Sequence, residues 1–312
     1  MQVLSQKKRK PFFKGKRDDL IFHWILLIWP LLQFSIFYIG VNLNSFRLAF
    51  VGMEGEFTFS WFENIFTLDN YRLSVFNGFF KSLRYWGIST AISLPLSLFF
   101  SHYIYKKYLL SGFFKVVLFL PSILSSMVMV LLFNKFMNGA LLAIMHDINP
   151  ETEEINILFN SNTEYDAYII FFNIWIGFGT GVLIYSNSMA TISPEVVEAA
   201  QLDGVNALQE FFHVALPHIY STASVFLVTG IATLFVNQYN LFSFFGANLT
   251  DGGSIGYYIY VHVSSVAGDI DDPGNVTIYH QFSALGLLLT AFAIPLTFFV
   301  RWLLEKLGPS ED

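Results

Sequence analysis

The sequence predicts an all-α integral membrane protein with six transmembrane helices, and three observations lead there. Of its 312 residues, 54% are hydrophobic and only 13% are charged, against about 25% charged in an ordinary soluble domain. Six apolar stretches, at 20–42, 82–104, 114–134, 167–190, 217–239 and 281–304, reach the length of about 20 residues that a helix needs to cross the hydrocarbon. Residues 214–250 contain no Lys, Arg, Asp or Glu, whereas the helices of a soluble bundle keep a polar outer face. The chain has no cysteine, so disulfides, thiolate metal sites and cysteine nucleophiles are excluded.

Residues 1–19 form a basic segment with Lys7, Lys8, Arg9, Lys10, Lys14, Lys16 and Arg17. The apolar run that follows is too long for a signal-peptide core and no small-x-small cleavage site follows Val41, so it reads as a retained anchor. Spans one, two, three and six carry Pro30, Pro95, Pro121 and Pro295, which membrane helices tolerate because neighbours re-satisfy the freed backbone. Arg84 in span two is expected near the outer interface. The connections at 43–81, 135–166 and 240–280 are expected outside and are mainly acidic, with Glu54, Glu56, Glu63, Asp69, Asp166 and Asp271 among them. Lys106, Lys107 and Lys115 lie in the second same-side connection, and Arg301 and Lys306 close the last span before the tail 305–312. This bias places both termini in the cytoplasm. The loop 191–213 has no Lys or Arg, so its cytoplasmic side follows only from counting spans. Residues 20–304 are expected to form one domain.

Span four has Asn173, Gly177 and Gly181 at four-residue spacing, and span five has Thr229, Thr233 and Asn237 at the same spacing. In a continuous helix each set shares one face. Such a face serves helix packing in lipid or lines a polar path. Tyr239 and Asn240, at the expected outer end of span five, are candidates for an external gate.

The loop 191–213 is the most informative segment. Ser193-Pro194-Glu195 reads as a helix start, with Ser at the N-cap, Pro in the first turn and a carboxylate beside the positive helix end. A short helix through Glu198-Ala199-Ala200-Gln201-Leu202-Asp203 is expected to stop at Gly204, which takes a left-handed conformation at little cost. Asn206 is placed to cap a second short helix, and Leu216-Pro217 is expected to turn the chain into span five. Ala199 and Ala200 leave a low face fit for a groove on another protein, and Glu198 offers a charge to be read there.

Glu198-Ala199-Ala200, Gly204, Val214, Leu216 and Pro217 keep the spacing of the cytoplasmic coupling loop of ABC-importer permeases, with Val214 at a position usually Ile. Phe113-Phe114-Lys115, Leu120-Pro121-Ser122 and Asn138-Gly139 are similar to the third-span region of the carbohydrate-type permeases. Leu249-Thr250-Asp251-Gly252-Gly253 resembles their Thr-x-Gly-Gly-Pro turn with Ser254 replacing the Pro, and Phe282-Ser283-Ala284-Leu285-Gly286 resembles the start of their last span. An acidic stretch at 269–275 departs from the pattern. The resemblance implies a type I ABC-importer permease fold with a cytoplasmic coupling helix, in the cell membrane of a prokaryote. It implies a second permease subunit, two ATPase copies and an extracellular solute-binding protein as partners, with a sugar or oligosaccharide as cargo. Glu198, Ala199, Ala200, Asp203, Gly204, Leu216 and Pro217 would then couple to the ATPase. Asn173, Thr229, Thr233, Asn237, Tyr239 and Asn240 are the candidate substrate path.

Other chemistries find little support. Gly15-Lys16-Arg17 lacks the first Gly and the hydroxyl residue of a phosphate-binding loop, so ATP hydrolysis is expected on a separate chain. Spans four and five, as bounded above, hold none of the charges that ion-coupled carriers use. Asp269-Ile270-Asp271-Asp272-Pro273-Gly274 fails as a calcium loop, because Pro273 has no side-chain oxygen and His280 stands where Glu is needed. His213 and His218 read as hydrogen-bonding rather than metal-binding residues. No enzyme site, cofactor, metal or nucleic-acid partner is expected. The alternatives are a permease for another solute, or a channel or carrier working alone.

Overall fold

The structure, a computed structural model, describes residues 16–148, 165–249, 253–266 and 272–309. The regular secondary structure of the described residues is helical, apart from one isolated antiparallel bridge between Val51 and Phe57. In chain order the helices are α1 (Lys16–Gln33), α2 (Val41–Phe50), α3 (Ser60–Thr67), α4 (Asp69–Tyr105), α5 (Ser111–Ile123), α6 (Ser126–Lys135) and α7 (Leu142–Ile148). There follow α8 (Tyr165–Met189), α9 (Pro194–Leu202), α10 (Ala207–Glu210), α11 (Leu216–Ala232), α12 (Leu241–Phe245), α13 (Ile255–Ser265) and α14 (Pro273–Leu307). Widened π-helical stretches at Phe34–Gly40, Phe136–Leu141 and Phe211–Ala215 join α1 to α2, α6 to α7 and α10 to α11.

Five helical runs are long and apolar enough to cross a membrane: Leu20–Phe50, Tyr71–Tyr105, Tyr165–Met189, Ala207–Ala232 and Gly274–Leu307. The expected third span is the sixth only as a broken one. Ser111–Ile123 and Ser126–Leu141 meet at 104°, because the chain turns extended at Leu124 and Ser125 just after Pro121. Other boundaries also differ from the sequence expectation. The first span runs on to Phe50 and the second begins at Asp69 instead of 82. At 37 residues α4 is about 55 Å long, so it extends well beyond about 30 Å of hydrocarbon.

The connection expected at 240–280 is no simple outer loop. It holds α12 and α13, and α13 buries Ile255, Gly256, Tyr257 and Tyr258. Its start is fixed by Ser254, whose hydroxyl accepts the Tyr257 N–H at 3.2 Å and donates to the Asn237 carbonyl. The Ile255 N–H is taken by the hydroxyl of Ser82 on α4 at 3.0 Å. Residues 250–252 and 267–271, with much of the Thr-x-Gly-Gly motif and of the acidic stretch, lie outside the described residues.

Three apolar clusters hold the bundle. One gathers Tyr85, Met129, Phe133, Ile169, Phe172 and Phe244 where α4, α6, α8 and α12 meet. A second joins Trp61 and Ile65 of α3 to Val75, Phe235, Tyr258 and Leu285. The third packs Leu98, Tyr185, Met189, Ile192, Phe211 and Ile219 at the end that carries loop 191–213. Residues 20–40, by contrast, bury nothing. A helix apolar all round is covered by lipid or by another chain.

Candidate functional site

Loop 191–213 is built much as its sequence dictates. Ser193 takes the extended N-cap conformation and Pro194 opens α9, although the Ser193 hydroxyl makes no capping bond. Gly204 adopts φ +80°. Its N–H bonds the Gln201 carbonyl at 3.1 Å and the next N–H, of Val205, reaches back to Ala200 at 3.2 Å. This pair of bonds closes a helix on a left-handed glycine. Asn206 forms a full capping box: its Oδ1 accepts the Gln209 N–H at 2.9 Å while Gln209 Oε1 accepts the Asn206 N–H at 3.0 Å. That reciprocal arrangement satisfies two orphan donors at a helix start.

No residue of α9 is buried. Glu198, Ala199, Asp203 and Gly204 are exposed and Ala200 is half-buried, so the Glu-Ala-Ala face stands clear of its own chain. Leu202 on this helix is 89% exposed.

Leu216-Pro217 does not turn the chain, contrary to the sequence expectation. One helical rod runs from Ala207 to Ala232, so the fifth span begins ten residues earlier than expected. Pro217 has no N–H to give and its ring crowds the carbonyl one turn back. The π-helical Phe211–Ala215 absorbs the mismatch, with the Leu216 N–H passing to the Phe211 carbonyl. The second part of the loop and the span are therefore one continuous helix. The two histidines make hydrogen bonds: His213 Nδ1 meets the Gln209 carbonyl at 3.0 Å and His218 Nε2 meets Thr191 Oγ1 at 2.8 Å.

The rod carries a residue that sequence reading missed. Glu210 is 4% exposed, and both its carboxylate oxygens accept from Lys106 Nζ at 2.9 Å, at the end of α4. The two lie 104 residues apart in sequence, so no local spacing announces the pair. A second buried acid, Asp166, opens α8 and is held by Arg84 and by the Tyr85 hydroxyl. The sequence places it at the end of the outer connection 135–166, whereas the structure buries it in the first turn of α8. Spans four and five thus each hold one acid near an end once their true limits are known.

Between α4, α8 and α11 lies a cleft of ≈ 470 Å³, lined on its polar side by Ser89, Thr90, Ser93, Ser97, Asn173 and Asn237, with Tyr239 and Trp86 beside them. Its lining residues include no Lys, Arg, Asp or Glu. Ser89, Ser93 and Ser97 recur at four-residue spacing, a signal in span two that the sequence reading passed over.

The candidate path residues divide. Asn173, Asn237 and Tyr239 line this cleft. Thr229 lines a separate cleft of ≈ 670 Å³ with Ser221, Ser224 and Arg301. The expected single face through Thr229, Thr233 and Asn237 does not exist, because α11 ends at Ala232 and Thr233 is its C-cap. The chain beyond is turned, with Tyr239 at φ 52° and Asn240 at φ 60°. Asn173 holds this left-handed pair: its Nδ2 donates to the Tyr239 carbonyl at 2.9 Å and to Ile169 at 2.8 Å, while its Oδ1 accepts from Asn240 Nδ2 at 2.8 Å. The Tyr239 N–H in turn donates to Asn237 Oδ1 at 2.8 Å. Asn residues tolerate such backbone, but a non-glycine pair persists only when its surroundings enforce it.

In span four, packing and lining also separate by residue. A Cβ at Gly177 would meet no atom within 4 Å, so that position faces the open cleft, whereas one at Gly181 would press on Ser97. A Cβ at Gly179 would overlap the Leu118 carbonyl and come within 2.7 Å of the Phe119 Cα. Backbones of α5 and α8 meet there.

The sequence pattern described as "Binding-protein-dependent transport system inner membrane component" matches residues 86–311. The "Probable ABC transporter permease protein MG188 homolog" of Mycoplasma pneumoniae is 28% identical over 250 residues, covering 75% of this chain and 71% of the relative. The "Multiple sugar-binding transport system permease protein MsmF" of Streptococcus mutans is 25% identical over 67% of this chain and 72% of its own length. A solved bacterial ABC transporter that imports the acidic polysaccharide alginate has the same fold, with TM-score 0.75 over 94% of this chain and 98% of its own at 17% identity. The chain belongs to the family of binding-protein-dependent transport system inner membrane components.

Proposed function

We propose that this chain is the permease subunit of a type I ATP-driven importer, coupled to a separate ATPase through the Glu198–Gly204 helix and carrying a sugar or oligosaccharide. The observation that supports this most directly is the exposed α9, a helix that buries no residue in its own chain yet is closed at Gly204 and followed at once by the capping box of Asn206 on α10. A firm, uncovered helix joined to a span suits contact with a second protein. The uncharged polar cleft suits a neutral hydroxylated solute passing between two permease subunits. The uncovered stretch 20–40 of the first span suits lipid and the second subunit.

A sugar is preferred over other cargoes for a specific reason. Relatives include the sn-glycerol-3-phosphate transport system permease protein UgpA of Shigella flexneri, 24% identical over 71% of this chain. This chain's cleft offers no cation to an anionic cargo, which favours a neutral one. The remaining partners, an ATPase dimer and an extracellular solute-binding protein, follow from this reading. So does a prokaryotic cell membrane with both termini and loop 191–213 in the cytoplasm. ATP hydrolysis belongs to the partner.

Gly204→Leu and Glu198→Lys test the assignment. Gly204→Leu meets the left-handed backbone penalty of about 1–2 kcal/mol but its Cβ enters open space, so the protein should still reach the membrane. Expected is loss of ATPase co-purification and of ATP-dependent uptake in vesicles. Wild-type behaviour of both variants overturns the reading. Uptake by the purified chain without any ATPase would favour a stand-alone carrier.

A further inference from the structure

Glu210 sits six residues beyond Gly204, on the rod that begins at Ala207. Lys106 caps α4, the helix whose C-terminal half also supplies Ser89, Thr90, Ser93 and Ser97 to the cleft. The pair is two-pronged, at 2.9 Å to each carboxylate oxygen, and is withdrawn from solvent, with side-chain exposures of 18% and 5%. Around it Phe211 stacks on Phe99 of α4 at 4.8 Å and meets the buried His102 edge-on at 5.3 Å. Between Gly204 and the cleft wall there is thus a continuous solid path: capped turn, rod, ion pair, α4.

Adhesion alone does not account for the charges. A buried ion pair costs much desolvation, and apolar residues of similar volume hold two helices as well or better. What the pair adds is geometry, because a two-pronged charge-assisted contact fixes angle and register where an apolar contact can slide. We propose that Lys106 and Glu210 are positioning residues that lock the rod to α4, so that displacement of the Glu198–Gly204 helix moves the serine wall of the cleft. This rests on the reading that the helix docks an ATPase.

The natural absence of cysteine permits a direct test. Ser93→Cys places one reporter thiol in the cleft, and its labelling by N-ethylmaleimide is followed in the assembled transporter with and without ATP plus vanadate. With the native pair, nucleotide should change the labelling rate several-fold. In Lys106→Met with Glu210→Met, the ATPase should still co-purify while that change falls to less than twofold. Exchanging the charges, Lys106→Glu with Glu210→Lys, should restore it. A nucleotide response that survives the double Met variant overturns the proposal, as does no response in the native pair. So does a double Met variant that no longer assembles, since the pair would then be structural. Failure of the docking reading shows itself separately, as an ATPase that stays bound to Gly204→Leu and Glu198→Lys.

Discussion

Asn173 shows how one polar side chain in an apolar span acquires its role. All its amide hydrogens and its oxygen are engaged by the turn at 239–240 and by its own helix, so it shapes the cleft by holding Tyr239 in a left-handed conformation. Asn173→Leu strands the Asn240 amide and the Tyr239 carbonyl, at a cost of about 1–3 kcal/mol. Lower thermal stability in detergent together with loss of uptake is expected, measured by a melting scan and vesicle transport. Thr233 offers the contrast. Its hydroxyl donates to the Thr229 carbonyl at 3.0 Å, within its own helix end, and the residue is exposed. Thr233→Val should therefore change stability by no more than about 0.5 kcal/mol. The melting temperatures of the two variants, compared side by side, check both claims. Asn173 was legible in the sequence as polar and in a span; the turn that it holds was not.

Among the elements, α8 is the one against which others are set. The four-residue spacing puts Gly177 and Gly181 on one face and leaves packing and lining open, yet Gly177, Gly179 and Gly181 have different surroundings. Gly179→Ala forces a methyl into the α5 backbone at Leu118 and Phe119, which overpacking raises in free energy by about 1–3 kcal/mol. Gly177→Ala adds a methyl to open cleft space and should leave folding intact. The expected pattern is reduced membrane yield and melting temperature for position 179, and normal yield with altered uptake for position 177. The fifth span teaches a similar lesson about boundaries. Pro217 in the sequence reads as a turn, but the widened helix at Phe211–Ala215 carries the chain past it, and the helix stops instead at Thr233 where no proline stands. Just past the end of α11, Leu234 and Phe235 are buried in the cluster that α3, α4, α13 and α14 share.

At the scale of the molecule, the contacts sort the two ends of the bundle. Lys106 meets Glu210 and the Tyr220 hydroxyl donates to the Leu304 carbonyl at 2.8 Å, so the end of α4, loop 191–213 and the end of α14 lie together. At the opposite end the Trp61 Nε1 donates to Val51, and His280 at the start of α14 meets the Leu48 carbonyl at 2.6 Å. The alternation expected from counting spans is consistent with this sorting. Single cysteines at Gln209 and Thr67, both exposed, should divide accordingly: in intact cells an impermeant maleimide is expected to label position 67 and to spare position 209. Labelling of 209 from outside would reverse the orientation.

The sequence by itself determined the class of this protein and the local build of its loop. Hydropathy and low charge required a membrane-spanning helical bundle, and Gly204 and Asn206 fixed where α9 ends and the next helix begins, because these are properties of single residues and of one solvent. Only the tertiary structure decided which polar residues meet. The serine wall of α4, the turn clasped by Asn173 and the buried Lys106–Glu210 pair each join segments far apart in the chain. The bend of the third span, the burial of α13 and the continuity of loop and fifth span were likewise set by neighbours, since a backbone with several acceptable courses takes the one that its packing partners allow.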